Sequence, residues 1–235
     1  MQRVAKFGRN GLRVFGLGYL ATEVIKHAKQ RQTSHPLNAV TSAGKLSEEA
    51  FLRKKAIFET FAKKHDVDIR VSPTAKAQYD GLLDVIEIGR IFEESEESLE
   101  WTLFHELRHR QIEKPLQPLF VFVTGLLVSN MRQIVVSKKV PLARLGILSG
   151  AIGTILAYKY IGEVLADEYA NSNSSTIALV AAKKTFEDYA VDDYPFVPWY
   201  SRLVDGHPHP IKRIANIEAT LQKRKSAAET PINEE

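Results

Sequence analysis

The run W-T-L-F-H-E-L-R-H-R, residues 101–110, decides how this chain is read. Leu103, Phe104 and Leu107 recur at helical spacing, so the segment predicts a helix over roughly 96–112 with part of its surface in a core. On that helix His105 and His109, four residues apart, project from one face about one turn from each other. Two imidazoles placed in this way can bind one zinc ion. Glu106 follows the first of them and can take a proton from metal-activated water without itself entering the coordination sphere.

On the N-terminal side, Ser95 is placed to cap the helix, and Glu96 and Glu97 suit the positive end of its dipole. Two alternating stretches, near 67–71 and 82–89, predict strands of a small antiparallel sheet. Before them, Ser47 followed by Phe51, Ile57, Phe58 and Phe61 at helical spacing predicts a helix from about 48 to 64. On the C-terminal side, Pro115 is expected to end the histidine helix. Residues 115–131 and 145–158 carry no charge, and basic residues Arg132, Lys138, Lys139 and Arg144 lie between them. Their small-residue texture fits packed membrane helices, so a short transmembrane or re-entrant hairpin at about 115–158 is expected. A further helix, from about 160 to 187, should follow almost without a break. A last helix is expected near 210–224.

A catalytic zinc site needs a third protein ligand and a position left for water. Glu163 and Asp167 lie four apart on the helix that follows the apolar stretch. Glu163 can bind the metal, and Asp167 can accept a hydrogen bond from a ligand imidazole and fix its tautomer. Glu168 points elsewhere and is the less favoured ligand. In the segment G-H-P-H-P-I-K-R-I, residues 206–214, His207 can stabilise an oxyanion, and Arg213 can pair with Asp167 or with a substrate carbonyl.

The ordered set H-E-x-x-H, apolar hairpin, E-x-x-A-D-x-x-A and H-P-x-x-x-x-R-I resembles the membrane metalloprotease family of the CaaX prenyl proteases and HtpX-type heat-shock proteases, over roughly residues 48–224. The resemblance implies a gluzincin, a mainly α (α+β) zincin fold with an apolar helical hairpin inserted between the zinc ligands. It implies one Zn²⁺ held by His105, His109 and Glu163, Glu106 as general base, and His207 and Arg213 near the substrate carbonyl. The chain departs from the family pattern at Arg108, where a glycine is usual. It departs again at Ala75-Lys76-Ala77-Gln78, where an Asn-Ala is often found, and the usual N-terminal membrane helices are expected to be absent or reduced to the basic segment.

Composition bounds the rest. The chain has 235 residues and no cysteine, so neither a disulfide nor a thiolate ligand exists. Residues 1–31 carry seven basic side chains and one acid, +6 of a net +4, which leaves −2 for the body. A general nucleic-acid surface is therefore not expected, and the basic start reads as a membrane-surface or targeting segment. The expected organisation is a basic segment and linker over 1–45, a metalloprotease domain over 46–224 and a flexible tail over 225–235. The expected function is a zinc endopeptidase cutting protein substrates at a lipid bilayer, in a bacterial cytoplasmic or mitochondrial inner membrane. A catalytically silent zinc-site adaptor, and a soluble metallopeptidase with the apolar stretches as core helices, are the alternatives.

Overall fold

The computed structural model describes residues 34–40, 47–71, 77–81, 83–89, 95–136, 142–192 and 206–229. The basic segment 1–31, half of the linker, residues 193–205 of the aromatic 189–205 stretch and the end of the tail lie outside the described residues. The elements are strand β1 (His35–Pro36), a single 3₁₀ turn, helix α1 (Glu48–His65), strands β2 (Asp68–Val71), β3 (Gln78–Asp80) and β4 (Val85–Ile88), and helices α2 (Glu96–Val136), α3 (Leu142–Asn173), α4 (Thr176–Asp192) and α5 (Pro210–Glu229).

The helix starts are where the side chains dictate. Ser47 Oγ accepts from the Ala50 amide at 3.3 Å, and Ser95 Oγ accepts from the Ser98 amide at 3.3 Å. Each satisfies one of the first-turn N–H groups that no helical carbonyl can reach. The α1 helix ends on Asp66 in the left-handed region, φ 50°, whose amide bonds back to the Ala62 carbonyl.

The sheet order is β1-β2-β4-β3. The pairs β1–β2 and β3–β4 are antiparallel, but β2 and β4 are parallel, with Ile69 opposite Ile86. The sheet is therefore mixed and not antiparallel as expected. The reason is topological: β3 comes between β2 and β4 in sequence, but β4 takes the central place beside β2. The core forms where this sheet meets α1, α2, α4 and α5, around Phe58, Ile86, Ile88, Leu99, Leu103 and Leu179, all essentially inaccessible.

Two corrections concern the helices. Pro115 does not end the histidine helix; α2 continues through Pro115 and Pro118 to Val136. Each proline removes one i→i−4 bond, freeing the carbonyls of Gln111 and Lys114. Both residues are exposed, so water can satisfy those carbonyls. On the far side, α3 runs unbroken from 142 to 173, and the break falls at Ser174–Ser175 before α4.

The apolar stretches are thus parts of longer helices whose other turns carry the charged candidate site. Among the described residues no helix is long and apolar enough to cross a membrane. The uncharged runs reach about 26 and 21 Å, short of a hydrocarbon core of about 30 Å. This overturns the expected transmembrane hairpin, and with it the placement in a bacterial cytoplasmic or mitochondrial inner membrane.

Candidate metal centre

Two helices bring the candidate ligands together. The α2 helix supplies His105 and His109 one turn apart, and α3 packs along it and presents Glu163. The His105 and His109 Nε2 atoms are 3.2 Å apart. Glu163 Oε1 stands 3.2 Å from His109 Nε2, and Glu163 Oε2 stands 3.4 Å from His105 Nε2. Ligand atoms about 2.0–2.1 Å from a tetrahedral ion stand about 3.3–3.4 Å from one another. The three separations of the donor triangle are close to that edge, the two that involve Glu163 running to its two different oxygens. His105, His109 and Glu163 form a group that can hold a metal ion.

The surroundings orient these donors. Asp167, one turn beyond Glu163 and only 2% exposed, places Oδ1 3.0 Å from His105 Nδ1, an ion-pair contact that is off line for a hydrogen bond. Trp101 stacks on the His105 ring at 5.2 Å between centroids, tilted 24°, and its Nε1–H donates to Asn171 Oδ1 at 2.8 Å. Arg213, from α5, donates Nε–H to Asp167 Oδ2 at 2.8 Å and Nη2–H to Glu163 Oε2 at 3.0 Å. Of the two partners anticipated for Arg213, the structure pairs it with Asp167, and it adds Glu163.

His207 approaches Glu163 from the segment before α5, with Nδ1 2.6 Å from Oε2. Its side chain is 56% exposed and forms the open edge of the cluster. Gly206 makes this approach possible. Its φ is +73°, and a Cβ there would stand 3.1 Å from Lys159 Cβ, tighter than side chains ordinarily pack.

The electrostatics favour a cation. Burial alone would raise the Glu163 carboxyl, but hydrogen bonds from His105, His109 and His207 outweigh it and hold the group far below the usual carboxylate range. Burial depresses both ligand imidazoles, yet the facing carboxylates reverse this, Asp167 and Glu163 for His105 and Glu113 and Glu163 for His109. The Glu106 charge contributes to both. Glu106 itself is only 6% exposed, so the site places a buried carboxylate beside the two imidazoles without using it as a donor of the triangle. A divalent cation would meet the same carboxylates, and would displace the proton from each imidazole that binds it.

Glu168 is exposed and stands outside the donor group, in keeping with its lower rank as a ligand. Arg108, in place of the glycine of the resembled family, lies over the Tyr169 ring at 5.5 Å. Trp101, Glu113 and Asn171 were missed by sequence reasoning. A signal existed: Trp101 is four before His105, Glu113 four after His109 and Asn171 four after Asp167, the spacing that stacks side chains on one helix face. Two grooves, one of about 390 Å³ beside Phe61 and His65 and one of about 660 Å³ beside Ile177 and Val180, are lined by other residues and do not include the donors. Comparison with protein families, with curated proteins and with solved structures yields no match for this chain.

Proposed function

We propose that the chain is a zinc-dependent endopeptidase acting on protein or peptide substrates, with one Zn²⁺ on His105, His109 and Glu163. The observation that carries this reading is the convergence of the two imidazole Nε2 atoms and the Glu163 carboxylate at 3.2–3.4 Å, with a buried carboxylate, Glu106, next to His105 on the chain. Two imidazole nitrogens and one carboxylate oxygen form a donor set that suits zinc. Once bound, zinc would supply a Lewis acid that polarises the scissile carbonyl and lowers the pKa of the attacking water to about 7.

The protein groups supply the rest. Glu106 accepts the proton of the attacking water and passes it to the leaving amine. Glu163, ionised and therefore only an acceptor, takes a hydrogen bond from His207 Nδ1–H. His207 can then meet a developing oxyanion only through Nε2–H of its imidazolium form. Its exposure leaves that nitrogen within reach of a substrate. Arg213 ties Asp167 and Glu163 together and acts as a positioning residue, not on the carbonyl.

The test is casein-type proteolysis by the parent and by Glu106→Gln, each with its zinc content measured. Glutamine keeps the shape and removes the base, so activity should fall at least ~10²-fold with zinc retained. A variant that cuts at the parent rate would refute this mechanism. A parent that holds zinc and cuts nothing would favour a zinc-site binding protein.

A further inference from the structure

Glu113 is one turn beyond His109 on α2, and the proposed chemistry gives it no part. Its Oε1 lies 3.2 Å from His109 Nδ1. The contact mirrors the one Asp167 makes with the other imidazole at 3.0 Å. A neutral imidazole carries one N–H, and an ionised carboxylate only accepts, so a carboxylate at Nδ1 leaves the lone pair on Nε2. Nε2 is the His109 nitrogen that faces Glu163 Oε1 and His105 Nε2.

Glu113 is also held in place. A Cβ on Gly81, in the turn after β3, would stand 3.6 Å from Glu113 Oε2, so that turn lies against the carboxylate. The turn is pinned to the same helix on both sides of Glu113. Asp84 receives Arg110 at 2.7 Å, Lys114 at 2.6 Å and the Tyr79 hydroxyl at 3.0 Å. The Glu113 side chain is 40% exposed, but an acid on a plain solvated helix face would lack that wall.

We propose that Glu113 is the positioning residue for His109, fixing the Nδ1–H tautomer and the ring direction, with Asp167 in the matching place at His105 and the β3–β4 turn confining Glu113. This rests on the metal-centre reading and not on peptidase activity. Partners of this kind govern metal affinity by about 10–100-fold.

Zinc affinity of the full chain, measured by competition with a chromophoric chelator, tests it on the parent and on Glu113→Gln, Glu113→Asp and Glu113→Ala. Gln retains the reach and an accepting oxygen, whereas Asp retains the charge and is one methylene too short. The expected order is parent, then Gln, then Asp with Ala, the last two about 10–100-fold weaker than the parent. Affinities all within about twofold of one another would overturn the proposal, since such partners normally count for more. An order with Asp near the parent and Gln as weak as Ala would also overturn it, by making charge and not tautomer the cause. If the Ala variant fails to fold, Gln and Asp carry the comparison. A parent that binds no zinc overturns the metal reading beneath, and does so before any substitution is made.

Discussion

Replacing Arg213 with alanine should destabilise the metal-free protein by about 3 kcal/mol, because it removes a guanidinium shared by two buried carboxylates. The guanidinium bonds Asp167 at 2.8 Å and Glu163 at 3.0 Å, and it stands 5.0 Å over the Phe186 ring and 6.0 Å over that of Trp101. Removing one partner of a buried ionic pair costs about 3–5 kcal/mol, since the other charge stays buried. Here the carboxylates keep other partners. Glu163 retains three imidazoles and Asp167 retains His105 Nδ1, which places the loss at the lower end. For a chain of this size each kcal/mol corresponds to about 2–4 °C, so the thermal midpoint should fall by about 6–12 °C. Melting in the presence of chelator, with the parent and Arg53→Ala alongside, is the assay. Arg53 also bonds two carboxylates, Glu49 at 2.7 Å and Glu96 at 2.9 Å, but half exposed, where ion pairs contribute little. Arg213→Lys keeps a charge without the planar fork that spans both acids, so it should fall between. If Arg213→Ala shifts the midpoint no more than Arg53→Ala does, the buried network is not what holds α5 to α3.

Changing Glu163 to Gln should weaken zinc retention strongly, as read by metal content after dialysis, and full retention would remove Glu163 from the ligand set. Asp84→Asn isolates a charge effect, because asparagine also tolerates the left-handed φ of +55° found there. The Arg110 hydrogen bond first, and then those of Lys114 and Tyr79, outweigh burial and hold the Asp84 carboxyl well below its usual range. A depressed carboxylate stabilises the fold above its unfolded pKa of about 3.9, and that gain is lost as the pH falls toward the folded value. Urea unfolding should therefore separate parent from variant at pH 7, with the gap closing below about pH 4. A gap that stays constant down to pH 2 would mean the effect is not ionic.

The parts legible in the sequence were those written in local chemistry. The serine caps at Ser47 and Ser95, the apolar spacing of α1 and the alternation of β2 and β4 each act over a few residues, and each element formed where it was read. So did the pairing of His105 with His109, which one helical turn enforces. The contact of Glu163 with both imidazoles was inferred from its position after an apolar run, and the geometry bears the meeting out. What failed depends on partners far along the chain. β3 has three residues, too few for alternation to register, and its insertion beside β4 made the β2–β4 pair parallel. Pro115 reads as a stop when its cost is counted without asking where the freed carbonyl lies. The uncharged runs were read as a membrane hairpin because a run says nothing about the helix that contains it. His207 was assigned to the oxyanion alone, and its bond to Glu163 could not be seen from a 44-residue separation.

The donors also differ in how they are tied together. His105 and His109 are joined by a single helical turn, whereas 54 positions separate His109 from Glu163. An ion bridging them would act on the unfolded chain as a staple, in a protein that has no cysteine to make one. By the relation used for disulfides, closing a loop of that length is worth about 4 kcal/mol of removed chain entropy. The dependence is logarithmic, so doubling the loop would change that by only about 0.6 kcal/mol. The length of chain between the ligands is therefore almost free to vary, provided the third and fourth turns of α2 and the second half of α3 still meet the ion.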